Sequence, residues 1–160
     1  MKKLFIILVL FLGCKKNESN VLYAGAIGFF YENAKGENLL DPKTIGALND
    51  KDFTLYVMRN GIKSEIVNAA NSNLPGNFQI ENSPETGYYL FLTFGVDKEF
   101  FNGNDQTYFI KTSDGSEDKI SVRFNSNVGP IIGCRRVGIN DVVKWDASSG
   151  SYPSSLIIVK

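Results

Sequence analysis

The sequence predicts an all-β body, an antiparallel β-sandwich of the immunoglobulin-like or related kind, behind an N-terminal processing segment. Three observations predict it. Short runs rich in Val, Ile, Phe, Tyr and Thr, the residue types that suit a pleated, half-buried surface, recur along the chain. Turn formers separate them: counted from Cys14 onward, 43 of 147 residues are Asn, Ser or Gly. No window of 12 residues sustains a 3.6-residue apolar period, which limits helix to single turns. The division that follows is a signal peptide over 1–13, a lipidated cysteine and tether over 14–20, and one β domain over 21–160.

Met1-Lys2-Lys3 is a short positive stretch, and Leu4 to Leu12 is an unbroken run of nine apolar residues closed by Gly13-Cys14. As a helix such a run reaches about 14 Å, under half of a hydrocarbon core of about 30 Å. It therefore reads as the apolar region of a secretory signal and not as a membrane span. A small residue directly before a cysteine resembles the bacterial lipobox, in which the thiol is acylated with palmitate-type chains and the peptide is cut before it. The four positions here are Phe11-Leu12-Gly13-Cys14, with Phe11 where the motif has Leu and Leu12 where it has a small residue. Cleavage discards Lys2 and Lys3, so a neutral chain becomes one with 15 cations and 17 anions, a charge of −2. Several acyl chains on one residue hold a protein firmly to a membrane, whereas one anchors only marginally. Residues 15–20, Lys-Lys-Asn-Glu-Ser-Asn, are polar and read as a flexible tether. They carry no long acidic run, so both faces of the outer membrane, periplasmic and surface, stay open as locations in the envelope.

The strands are expected at about 24–32, 53–59, 62–67, 78–81, 88–96, 107–112, 119–125, 131–139, 142–145 and 156–159. The first is an aromatic run that stops at the turn former Asn33. A single helical turn is expected at Asp41-Pro42-Lys43-Thr44, with Asp as cap and Pro at the first helical position. Asn60-Gly61 predicts a type I′ hairpin, because both central residues of that turn need positive φ. A two-residue loop there sets Arg59 opposite Ile62, Val57 opposite Ser64 and Leu55 opposite Ile66, and this face looks inward. Ser113 to Asp118 joins the Tyr108/Ile110 strand to the Ile120/Val122/Phe124 strand. Asn140-Asp141 makes a third hairpin, pairing Ile139 with Val142 and Arg136 with Trp145, a cation–π arrangement. The final strand is Leu156-Ile157-Ile158-Val159. A chain of this size buries roughly two-thirds of its unfolded surface, enough for one core without a disulfide.

Composition excludes whole classes of chemistry. With no histidine there is no Ser-His-Asp triad, no Cys-His pair, no imidazole ligand and no imidazole pH switch. Charge neutrality argues against a nucleic-acid partner, which needs a cationic excess. Phosphate-loop, dinucleotide, nucleophile-elbow and C-x-x-C motifs are absent from the sequence. Cys134 is the one cysteine left once Cys14 is lipidated. It reads as a small buried hydrophobe, with Arg135 and Arg136 beside it but no histidine to activate it. Asp114-Gly115-Ser116-Glu117-Asp118 spaces oxygens as a calcium loop begins, but Lys119 replaces the turn glycine and Asn125 the closing glutamate, so a hairpin turn is expected. Asp50/Asp52 and Asp97/Glu99 read as loop residues. No metal, cofactor or catalytic set is expected, although paired carboxylates are in principle enough for a glycoside hydrolase. Aromatic side chains are the candidate ligand contacts: Phe101 in Phe100-Phe101-Asn102-Gly103, Tyr152 beside Pro153, and Trp145, rings on which a sugar could stack.

The stretch Asn33-Ala34-Lys35-Gly36-Glu37-Asn38-Leu39-Leu40-Asp41-Pro42 resembles an N-x-x-G-x-D/N-L-L-D-P segment of small, uncharacterised Bacteroidetes-type lipoproteins. Those chains also begin with a lipobox and end in a hairpin bearing a cysteine and a tryptophan, here Cys134, Asn140 and Trp145. The tail 146–160 departs from that pattern. The resemblance implies a lipid-anchored β-rich body without known catalytic residues. The expected function is a non-enzymatic binding or structural module, held to the membrane by its N-terminal lipid and facing an envelope protein or a glycan. A carbohydrate- or peptide-binding accessory role is the second reading, and a carboxylate-based hydrolase the third.

Overall fold

Alternation of apolar and polar residues at a period of two sets the strands, and turn residues that tolerate positive φ set where they reverse. The computed structural model describes residues 22–24, 26–66, 78–93, 105–124, 131–149 and 156–160. Among these are β1 (Leu22–Ala24), β2 (Ala26–Glu32), β3 (Phe53–Arg59), β4 (Ile62–Ile66), β5 (Phe78–Ser83) and β6 (Gly87–Thr93). They continue with β7 (Asp105–Thr112), β8 (Glu117–Phe124), β9 (Ile131–Ile139), β10 (Val142–Asp146) and β11 (Leu156–Val159). A seven-stranded sheet has the order β1-β9-β8-β7-β3-β4, with β10 also paired to β9, and a four-stranded sheet has the order β11-β2-β6-β5. Pairing is antiparallel except for β1 with β9 and β11 with β2. The all-β expectation therefore holds.

Both sheets turn one face to a single hydrophobic cluster. Phe29 and Tyr31 of β2, Leu90 and Leu92 of β6, and Leu156 and Ile158 of β11 come from one sheet. Leu55 and Val57 of β3, Tyr108 and Ile110 of β7, and Ile120, Val122 and Phe124 of β8 come from the other. Tyr31 meets Phe53 edge-on across the two sheets, with ring centroids 5.2 Å apart, a geometry favoured by the ring quadrupoles. The Asp50 carboxylate accepts the Ile80 N–H at 2.7 Å, tying the start of β3 to the outer strand of the smaller sheet.

The hairpins follow local turn chemistry. Asn60 and Gly61 have φ of 50° and 77°, and Arg59, Val57 and Leu55 lie opposite Ile62, Ser64 and Ile66 as expected. Only the far end of that face departs, where Ile62 is 67% exposed beyond the edge of the core. Asn140 and Asp141 have φ of 49° and 65°, and Ile139 pairs with Val142. A bulge after Val143 then shifts the register, so Trp145 lies opposite Val137 and Arg136 opposite Asp146. The expected Arg136–Trp145 pairing is thereby replaced: the extra residue turns Trp145 into the core, as bulges commonly re-aim a side chain.

Two further expectations are corrected. The single first strand is two strands in different sheets, β1 with the larger and β2 with the smaller, with Gly25 between them in sequence. The helical turn at Asp41-Pro42-Lys43-Thr44 is a run of tight turns instead. The Asp41 carboxylate accepts Lys43 N–H and its carbonyl accepts Thr44 N–H, both at 2.9 Å. Leu40 is buried and Leu48 N–H bonds to Leu39 carbonyl at 2.7 Å, so the chain returns before a helix can extend. Single 3₁₀ turns occur at Asp50–Asp52 and Ala147–Ser149. The first has a capping box, in which Asn49 accepts Lys51 N–H and Asp52 reaches back to Asn49 N–H. The expected strand extensions to 67, 96 and 125 lie outside the described residues.

Candidate functional site

The segment that carries the lipoprotein resemblance folds as a chain of side-chain-closed turns. Asn33 accepts the N–H groups of Lys35 and Glu37 at 2.9 and 3.0 Å, and Gly36 occupies φ +79°, where a side chain would be strained. Asn38 donates to the Tyr88 carbonyl at 2.8 Å and accepts Leu40 N–H at 2.9 Å, so it fastens the loop to β6 while Leu40 enters the core. These roles are structural.

The chemically densest cluster lies where the ends of β2 and β11 meet the start of β8. On β8 the residues Asp118, Ile120, Val122 and Phe124 share the inward face, so one carboxylate extends an apolar stripe. On β11 the inward residues Leu156 and Ile158 are followed, at the same parity, by Lys160. The two charges meet: Lys160 Nζ lies 2.5 Å from Asp118 Oδ2, with side-chain exposures of 15% and 7%. Lys160 Nζ also donates to Ser116 Oγ at 2.8 Å, and Asn140 Nδ2 donates to Asp118 Oδ1 at 3.0 Å. Ser116 Oγ is 2.6 Å from Thr112 Oγ1, which donates to Asp114 Oδ1 at 2.6 Å. The Lys160 ammonium stands 5.6 Å from the centre of the Tyr31 ring. Burial and the Asp118 charge raise the Tyr31 hydroxyl well above the ordinary phenol range. That hydroxyl is buried and has no hydrogen-bond partner among the described residues.

Asp114, the head of the calcium-like stretch, closes a hairpin turn. Its carboxylate takes the Thr112 hydroxyl and the Ser116 N–H, with Gly115 at φ +87°. The Thr112 hydrogen bond first, then those from Ser116, lower its pKa from the ordinary 3.8 to about 2. A depressed carboxyl stabilises the fold above its unfolded pKa and loses that contribution as pH falls through the folded value. Asp114→Asn is therefore expected to flatten the pH dependence of the urea midpoint between roughly pH 4 and pH 2.

Two outer faces carry aromatic side chains. On the seven-stranded sheet, Lys63 Nζ sits 4.7 and 4.4 Å from the ring centres of Tyr56 and Phe109, and pairs with Glu117. On the four-stranded sheet, the Tyr89 ring lies between Phe30 at 6.1 Å and Phe91 at 6.4 Å. Tyr89 Oη donates to Glu81 Oε2 at 2.7 Å and Gln79 Nε2 donates to Glu81 Oε1 at 2.6 Å. Gly28 makes this possible, since a Cβ there would lie 3.0 Å from Tyr89 Cδ2.

Of the residues singled out in the sequence, Cys14, Phe101, Tyr152, Asp97 and Glu99 lie outside the described residues. Trp145 is a core residue, 8% exposed, which leaves little ring face for a ligand. Cys134 is a free thiol packed against the core, and burial pushes it up to about 11, the direction of an unreactive group. Asp50 and Asp52 serve as the tie and cap described above. The sequence reading passed over Lys160–Asp118, Tyr89 and Gln106, whose buried side-chain amide has no partner among the described residues. A charged residue in phase with an apolar stripe is the signal that marks Asp118 and Lys160. No three Cys, Asp or Glu side chains gather as a metal site among the described residues. No family model, curated protein or solved structure matches this chain.

Proposed function

We propose that this chain is a lipid-anchored protein of the bacterial cell envelope, in the outer membrane, acting as a non-enzymatic binding or structural module. The observation that carries the reading is the run from Met1-Lys2-Lys3 through Leu4–Leu12 to Gly13-Cys14, set only eight residues before the first strand at Leu22. A thiol acylated there and a short polar tether hold a folded body close to the bilayer surface. The body is read as an antiparallel sandwich of the immunoglobulin-like or related kind, its two sheets sharing one core. The test is intact mass and detergent partitioning of the chain made in a lipoprotein-processing bacterium. A chain that starts at Cys14 with acyl chains attached is expected in the detergent phase, and Cys14→Ala is expected to lose both the acylation and the partitioning. An unmodified Cys14 in wild-type chain recovered from the aqueous phase overturns the anchor.

A carbohydrate-binding role is favoured by one specific observation, the ring of Tyr89 flanked by Phe30 and Phe91 beside the Glu81–Gln79 pair. Rings supply stacking surface, and the carboxylate and amide supply the directional polar contacts that sugar hydroxyls require. On a glycan array, any wild-type signal is expected to fall about fivefold in Tyr89→Ala, given a stacking contribution of about 1 kcal/mol. A flat array, or a signal that Tyr89→Ala leaves intact, removes this reading.

A further inference from the structure

We propose that Lys160 and Asp118 condense to an intramolecular amide, a covalent cross-link between the two sheets. Four features of the cluster support it. The amine nitrogen and the carboxyl oxygen are 2.5 Å apart and nearly sealed from solvent. Asn140 Nδ2 donates to the other carboxyl oxygen, the one on which negative charge develops when the carbonyl carbon is attacked. Lys160 Nζ also donates to Ser116 Oγ, which is itself held by Thr112 Oγ1, so the amine is fixed in place against Asp118. The buried Tyr31 ring stands 5.6 Å from the amine.

Two arguments give the direction. Holding reactants in contact within a rigid frame is equivalent to concentrations of about 10⁵–10⁸ M. Here the frame is fixed on both sides, since Asp118 lies in β8 and Lys160 donates its backbone N–H to the Glu32 carbonyl at 2.7 Å. The amide also removes both buried charges together with the desolvation penalty each carries. Lys63–Glu117 supplies the contrast: that pair is 34% and 33% exposed, water keeps both charges solvated, and no amide is expected there.

The step balances without any co-reactant. A proton passes from the ammonium to Asp118 Oδ2, giving a neutral amine and a carboxylic acid. The Nζ lone pair attacks Cγ, the C–N bond forms, and Asn140 holds the oxyanion on Oδ1. The second proton on Nζ passes directly to Oδ2, the oxygen that Nζ already contacts, and the Cγ–Oδ2 bond breaks. One amide forms and one water leaves, with no change of oxidation state.

Peptide mapping of the purified full-length chain tests this. The expected product is a branched peptide joining the segments that hold Asp118 and Lys160, lighter than their sum by one water. Lys160→Arg is expected to give the two segments unlinked, and Glu117→Gln to leave the link in place. Asn140→Ala is expected to slow link formation by about 100-fold in a time course after refolding, the loss typical of one oxyanion donor. Recovery of both wild-type segments at full mass, unlinked after prolonged incubation, overturns the proposal and leaves a hydrogen-bonded ion pair.

Discussion

Asp118→Ala is expected to lower the free energy of unfolding by about 3–5 kcal/mol, the cost of breaking a buried pair by removing one partner. The reason is what the substitution leaves behind. Lys160 keeps its charge in a site where its side chain is only 15% exposed, and Asn140 Nδ2 loses its acceptor. The loss reaches both sheets, since Asp118 belongs to the larger one and Lys160 follows β11 of the smaller. Urea denaturation with a shared slope measures it. The exposed pair is the comparison: Glu117→Ala removes the partner of Lys63 in a screened setting and is expected to cost less than about 1 kcal/mol. The double variant Asp118→Ala/Lys160→Met separates two origins of the loss. It removes both charges and leaves none stranded, so an ion pair alone predicts recovery of most of the deficit. A deficit that persists in the double variant fits the loss of a cross-link.

How far the sequence reaches depends on the range over which each feature is determined. The Asn60-Gly61 and Asn140-Asp141 turns are legible because positive φ is a local demand that few residues meet, and two-residue loops then fix the register beside them. The β10 bulge is not legible, because Val142, Val143 and Trp145 offer apolar side chains in either register. Only the tertiary core decides that Trp145 goes in and Val143, at 45% exposure, stays out. The division of the first strand depends on sheet membership, which Leu22–Ala24 acquires from Ile131–Gly133 far along the chain. The Lys160–Asp118 pair joins residues 42 apart and needs both sheets in place before either charge has its partner. Its trace in the sequence is each residue's phase within an apolar alternation, a signal that a search for loop motifs passes by. The aromatic face of the smaller sheet escaped for a related reason. Phe30, Tyr89 and Phe91 are strand residues of the non-core parity, and only the pairing of β2 with β6 brings them side by side.

Phe29→Ala is expected to cost about 3–5 kcal/mol, the range for truncating a buried phenylalanine. Phe29 is fully buried on β2, which lies between β11 and β6, and its register partners are Leu156 and Leu90. Both neighbours face the core and sit in continuous backbone ladders, so neither can move inward to fill the space without breaking strand pairing. A cavity that cannot collapse places the cost toward the upper part of the range. In a domain of this length that loss lowers the melting temperature by roughly 6–20 °C, at about 2–4 °C per kcal/mol. Ile157→Ala is the control one face away. It removes a side chain of similar kind from the same sheet, but at 41% exposure it is expected to change stability by less than about 1 kcal/mol. A small loss for Phe29→Ala would mean that the four-stranded sheet is not held by the common core. The two sheets would then depend chiefly on the Lys160–Asp118 contact, and the ordering of the two variants separates these cases. If the core dominates, Phe29→Ala equals or exceeds Asp118→Ala; if the polar link dominates, Asp118→Ala stands well above it.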